Sequence, residues 1–261
     1  MKKVFFLILL LLYGTVFSEE NTRTEYVLEK GIDIPLTISA GIIALLGSYR
    51  LSEMKPKNEN YKTSDLFIWD RPFAGVWNSK ADKISDALTV LGFAPLAIGA
   101  VSYFKNDIKG SELGALSLMF VQSMAFQSGL NLIVRSSQLW PRPFLLGDKG
   151  GDDRLKGQAY GSFYSGHASA AFSVAVFTSY WFQNTYSSSK YTPYIWASSL
   201  TLATTVSVLR VAAGKHYPTD VIVGALMGSL VSFSILKIHE HKSPSLSIQV
   251  GPNYVGVTRH F

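Results

Sequence analysis

Two histidines, His167 and His216, each stand where a polar stretch meets a charge-free one, and basic residues gather at the same junctions. Arg135 follows the run 113–134, Arg142 lies within Pro141-Arg142-Pro143, and Arg210 follows the run 191–209. Three guanidiniums and two imidazoles brought to one place need a partner of opposite charge, and Asp220 is the single acid expected beside them. A phosphate fits the vacancy, because a guanidinium donates paired hydrogen bonds to phosphoryl oxygens and keeps its charge near lipid. Imidazole can attack phosphorus or deliver a proton. Pro218 suits the first position of a helix, which puts Asp220 in the first turn, within reach of His216. Taken singly, each arginine reads as a snorkelling interfacial charge and Asp220 as a carboxylate answering a helix dipole. The phosphate reading comes from the combination.

The elements that must bring these residues together are apolar. Charged residues are 16% of the chain, against about 25% in an average soluble domain. Charge-free windows recur at 34–49, 87–104, 113–134, 168–189, 191–209 and 221–236. The window 113–134 has no charge at any phase of a 3.6-residue period and so offers no solvent face. The pattern predicts an all-α, polytopic membrane bundle of about six spans, with Gly224 and Gly228 as a small-residue pair for close helix packing. Because successive spans alternate sides, Arg135, Arg142, His167, Arg210, His216 and Asp220 fall on one face. The net charge of +6 suits anionic lipid, phosphate or nucleic acid equally, and the absence of cysteine excludes disulfides and thiolate chemistry.

Residues 1–18 read as a signal peptide or an uncleaved anchor, 19–242 as the membrane-embedded domain and 243–261 as a polar tail. Alternation on either side of Gly251-Pro252-Asn253 predicts a short C-terminal β-hairpin. The polar stretch 50–86, with Phe67, Trp69, Phe73 and Trp77, suits short helices at the lipid interface. His239, His241 and His260 are placed in the tail. Asp152-Asp153 reads as a solvated turn rather than a divalent-ion site.

Arg135-x6-Arg142-Pro143, Tyr164-Ser165-Gly166-His167 and Arg210-x5-His216-x3-Asp220 resemble, in order and spacing, the three signature motifs of the type 2 phosphatidic acid phosphatases, which share a site with vanadium haloperoxidases. The family pattern is K-x6-R-P, P-S-G-H and S-R-x5-H-x3-D. Arg135, Tyr164 and Leu209 depart from it, which touches the fine geometry of the site more than the reaction type. The resemblance spans roughly residues 83–236. It implies His216 as nucleophile, forming a phosphohistidine, with Asp220 on its other ring nitrogen and His167 as the general acid. It further implies that Arg135, Arg142 and Arg210 hold the equatorial oxygens together with backbone amides near Ser165 and Gly166.

No metal or other cofactor is required by that chemistry. The expected partners are a lipid phosphate or diphosphate and the membrane, with no nucleic acid. Vanadate-dependent halide oxidation and silent lipid-headgroup binding or transport use the same residues and stand as alternatives. The resemblance implies an extracytoplasmic site on a bacterial cytoplasmic membrane. Counting disagrees: a cleaved signal leaves Glu19 outside, and three full spans then return Arg135 to the cytoplasm.

Overall fold

The computed structural model describes residues 24–57 and 61–241, and the backbone course of 245–251 and 254–260. The expected signal segment 1–18 lies outside the described residues. Helix α1 is Lys30–Ser52, α2 Ser79–Leu88, α3 Ala94–Phe104, α4 Gly110–Ser136, α5 Gly166–Thr185, α6 Thr192–Ala212 and α7 Pro218–His239. A 3-10 turn, Thr89–Phe93, joins α2 to α3, so Ser79–Phe104 forms one broken 26-residue element. By length and composition this element and α1, α4, α6 and α7 could each cross a membrane. The fourth expected span, 168–189, which is α5, is not among them.

The difference has a packing cause. Helix α5 carries Ser169, Ser173, Thr178 and Ser179 turned inward and buried. It is the central helix, packed against α4, α6 and α7, and a helix surrounded by protein has no need to match lipid. Ser173 Oγ lies 2.6 Å from Ser232 Oγ on α7 and Thr178 Oγ1 donates to the Val174 carbonyl at 2.7 Å, whereas the buried hydroxyls of Ser169 and Ser179 have no partner among the described residues. The small-residue pair closes the α5–α7 seam: a Cβ on Gly224 would meet the Ser165 carbonyl, and one on Gly228 the Ser169 carbonyl. Phe120, Phe177, Leu116, Met119, Trp181 and Leu236 form the apolar core between α4, α5 and α7.

Three helices begin on explicit sequence signals. Asn78 Oδ1 accepts the amides of Lys80 and Ala81 at the start of α2, and Ser165 Oγ accepts Ala168 N–H at the start of α5. Pro218 occupies the first turn of α7, as its sequence position predicts.

The two ends of the bundle differ in what they gather. At one end the chain just after α1 meets the segment after α4, where Gln138 Nε2 donates to the Lys55 carbonyl at 2.8 Å. At the other, β1 (Glu25–Tyr26) pairs antiparallel with β2 (Glu240–His241), and Thr24 N–H donates to the Asn184 carbonyl. Strands β3 (Ser245–Gly251) and β4 (Tyr254–His260) form the expected C-terminal hairpin, Gly251 opposite Tyr254. His239 is not a tail residue. It ends α7 and is buried, its Nε2 2.8 Å from Asp33 Oδ1 on α1.

Candidate active site

All the residues singled out in the three motifs lie at the end of the bundle away from β1 and β2. Arg135 sits in the last turn of α4, Arg210 in the last turn of α6, His167 in the first turn of α5 and Asp220 in the first turn of α7. His216 lies in the tight turn between α6 and α7. Gly214 makes that turn with φ +72, a conformation costly to residues with a Cβ, and it backs so closely on the Val76 carbonyl that no side chain would fit. Arg142 is held in an extended loop, its N–H donating to the Ala159 carbonyl at 2.8 Å.

His216 is buried, and Nδ1 lies 2.8 Å from the Ser162 carbonyl oxygen. A carbonyl only accepts, so Nδ1 carries the hydrogen and Nε2 keeps its lone pair. Burial first, and then the charges of Arg142, Arg210, Arg135 and His167, hold the ring well below its ordinary pKa. It is therefore a neutral imidazole facing cations.

Asp220 was expected to hold His216 Nδ1 directly. Its Oδ2 stands 3.5 Å from Nδ1, whereas the Ser162 carbonyl is at 2.8 Å. The carboxylate is instead engaged by Ser162 Oγ at 2.5 Å, Tyr217 N–H at 2.9 Å and Trp140 Nε1 at 3.3 Å. Ser162 thus touches both groups, offering its carbonyl to the imidazole and its hydroxyl to the acid. The N-terminus of α7 is braced again from the polar loop: Asp70 accepts Thr219 N–H at 3.2 Å and Thr219 Oγ1 at 2.5 Å.

The three guanidiniums are not equivalent. Arg135 Nη2 donates to Gln158 Oε1 at 2.9 Å and Nε to the Gly161 carbonyl at 3.3 Å. Arg210 Nη1 is taken by Asp82 at 2.7 Å, Ser85 Oγ at 3.0 Å and Asp86 at 3.0 Å. Arg142 is buried with an unpartnered Nε, and no carboxylate lies against it among the described residues. Burial, then the like charges of Arg135 and Arg210, push its guanidinium well below the usual value. A buried cation in that condition costs free energy until an anion arrives.

The expectation for the backbone donors changes in one respect. Ser165 N–H donates to the Asp220 carbonyl at 3.0 Å, so it is not available to an oxyanion. Ala168 N–H goes to Ser165 Oγ and Ser169 N–H to the Ser165 carbonyl, which leaves Gly166 and His167 as the amides at the start of α5 without a partner among the described residues. Gly166 is needed for space as well, since a Cβ would stand 2.7 Å from Asn131 Oδ1.

Asp220 is not the sole acid at this end. Helix α2 brings Asp82 and Asp86, and the loop after α4 brings Asp153. Lys215, beside His216, joins them: its Nζ is 3.1 Å from Asp82, 2.7 Å from Asp153 and 4.7 Å from the Trp77 ring centroid. Asp153 also pairs with Lys156 at 2.7 Å, and these two lysines hold its carboxyl down at about 2. Asp153 is therefore part of a salt-bridged loop tie, while Asp152 is exposed, as a solvated turn residue is. The sequence signal for α2 was present in the i, i+4 spacing of its two acids. That spacing looks the same on a helix that faces water.

Residues 114–244 match the model of the PAP2 superfamily. A transmembrane PAP2 type phosphatidylglycerolphosphate phosphatase from Bacillus subtilis aligns with 79% of this chain and 94% of its own, at 19% identity and a TM-score of 0.47. No curated protein matches the chain.

Proposed function

The chain belongs to the PAP2 superfamily, and from that premise we propose that it is a membrane phosphatase hydrolysing a lipid phosphate or diphosphate through a phosphohistidine. The observation that carries the reading is Arg142, a buried guanidinium with an unpartnered Nε beside a neutral imidazole whose Nε2 has no hydrogen-bond partner among the described residues. Phosphate supplies the missing charge. Arg142, Arg210 and Arg135, with the Gly166 and His167 amides, surround the equatorial oxygens.

His216 Nε2 attacks phosphorus while the bond to the leaving oxygen breaks. His167 gives that oxygen a proton, so the lipid departs as a neutral alcohol. Water then attacks the phosphohistidine and returns its proton to His167. The P–N bond breaks, phosphate leaves and His216 is regenerated. The Ser162 carbonyl holds Nδ1–H throughout, and Asp220 answers the positive charge on the phosphorylated ring from 3.5 Å.

Phosphate release by purified protein from phosphatidate, phosphatidylglycerol phosphate, a polyprenyl diphosphate and lipid A tests the function, with EDTA and vanadate as further arms. Hydrolysis should survive EDTA and be blocked by vanadate, whose five-coordinate geometry fits the same cradle. Rapid quench with labelled substrate should trap an acid-labile phosphoenzyme that His216→Ala lacks. Vanadate binding without release from any of these lipids would instead establish the silent headgroup binder.

We further place the site on the extracytoplasmic face of a bacterial cytoplasmic membrane, as the motif resemblance implies. Strand β1 and the site lie at opposite ends of α1, so this placement and export of residue 19 by a cleaved signal exclude one another. Cysteines introduced at Lys149 and Lys190 test it. An impermeant thiol reagent should reach Lys149→Cys in intact cells and Lys190→Cys only after permeabilisation, and the reverse order would put the site in the cytoplasm.

A further inference from the structure

Helix α2 lies outside the segment that matches the superfamily, yet it makes the closest contacts to two of the groups placed in the reaction. Asp86 Oδ1 is 3.0 Å from His167 Nε2 and 3.0 Å from Arg210 Nη1. Asp82 and Ser85 complete the shell of that same Nη1. A carboxylate serving only to neutralise Arg210 would take the guanidinium by a paired edge. Here three acceptors crowd one nitrogen, and the Nε is buried and unpartnered. The arginine is gripped by one corner, with its Nε side left for a ligand.

We propose that Asp86 is a positioning residue for phosphoryl transfer, joining the phosphate clamp to the acid. It rests on the phosphatase reading above. With Nε2–H held by Asp86, Nδ1 of His167 is the nitrogen that delivers the proton to the leaving oxygen as the P–O bond breaks. In the second step Nδ1 takes the proton back from the attacking water. Asp86 remains a carboxylate throughout and faces the imidazolium that exists before each donation, as the orienting acid of a hydrolase triad does. Its side chain is 58% exposed while that of Arg210 is 4% exposed, so Asp86 reaches the surface of the site while the guanidinium it holds is enclosed.

The full chain in detergent, with Asp86→Asn, Asp86→Ala and Asp86→Glu, tests this on a lipid phosphate, whose leaving group needs a proton, and on an aryl phosphate, whose leaving group does not. Asp86→Asn should lower kcat on the lipid by about tenfold or more, with a much smaller loss on the aryl ester, because only the first depends on the acid. KM and vanadate inhibition should stay within about twofold, since Asp82 and Ser85 still hold Arg210, and Asp86→Glu should recover part of the loss. Equal losses on both esters would reduce Asp86 to a structural contact, and no loss on either would leave it without a role. A lower KM with tighter vanadate inhibition would show that Asp86 occupies the phosphate position and competes for it. Each of these overturns the proposal while leaving an active wild type as a phosphatase. A wild type inactive on both esters refutes the phosphatase reading itself.

Discussion

Helix α7 has a buried imidazole–carboxylate pair at each end, and the two have opposite characters. At its start His216 gives Nδ1–H to the Ser162 carbonyl, leaves Nε2 free and stands among guanidiniums. At its end both nitrogens of His239 are engaged, Nδ1 with the Ile235 carbonyl at 2.7 Å and Nε2 with Asp33 at 2.8 Å. Asp33 is saturated in turn by Gln122 Nε2 at 3.2 Å and Glu29 N–H at 2.6 Å. Burial and a carboxylate are common to both pairs. Among the described residues only the first combines an unengaged ring nitrogen with a cation, Arg142, that no carboxylate contacts, and chemistry needs that incompleteness.

The sharpest break between the ends comes from deleting each imidazole. His216→Ala should abolish phosphate release, by on the order of 10⁴-fold or more, as loss of a nucleophile does. His239→Ala should leave the activity of folded protein close to wild type while removing about 2 kcal/mol of stability, because the Asp33 carboxylate keeps Gln122 and the Glu29 amide but loses its imidazole partner. Turnover and thermal unfolding in detergent read the two effects separately. Loss of turnover in folded His239→Ala would mean that the far pair belongs to the site.

Within the site, the guanidiniums should rank by how much of each is free. Arg142→Lys and Arg210→Lys keep the charge but lose the fork, and each should lower kcat/KM by on the order of a hundredfold. Arg135→Lys should be tolerated within several-fold: Arg135 already spends Nε and Nη2 on Gly161 and Gln158, and lysine is the residue of the motif pattern. Equal losses at all three positions would erase the distinction between clamp and support.

Much of this was legible in the sequence, and the remainder has identifiable physical reasons. Charge-free runs located the helices because lipid-facing surface cannot carry charge, and Pro218 located the start of α7 because the first turn is where a proline costs a helix least. The position of α5 at the centre could not be read, since buried serines and exposed serines have the same letters. Ser162 was missed because its key contact with His216 is a backbone carbonyl, which no side chain encodes. Asp82 and Asp86 were missed because a polar helix facing a cationic cleft has the same pattern as one facing water. His239 reads as tail because it is the last residue of its helix, and its partner Asp33 lies 206 positions away.

The smallest difference between the ends concerns pH. The sealed pair of His239 and Asp33 is buried, whereas the rim of the site is tied by Asp153, which Lys156 and Lys215 hold at about 2. A carboxylate depressed below its unfolded value stabilises the fold fully above about pH 4, and that contribution fades as pH falls through the folded value near 2. Melting temperatures of wild type and Asp153→Asn should therefore differ at pH 5 and converge toward pH 2. Lys156 is exposed and its share is screened by salt, so raising the ionic strength should shrink the gap only in part. Lys215, 8% exposed and clasped between Asp82 and Asp153, should keep the rest, and Lys215→Met should remove most of the salt-resistant portion. A gap that stays constant from pH 5 to pH 2 would show that Asp153 contributes through packing of its loop rather than through its charge.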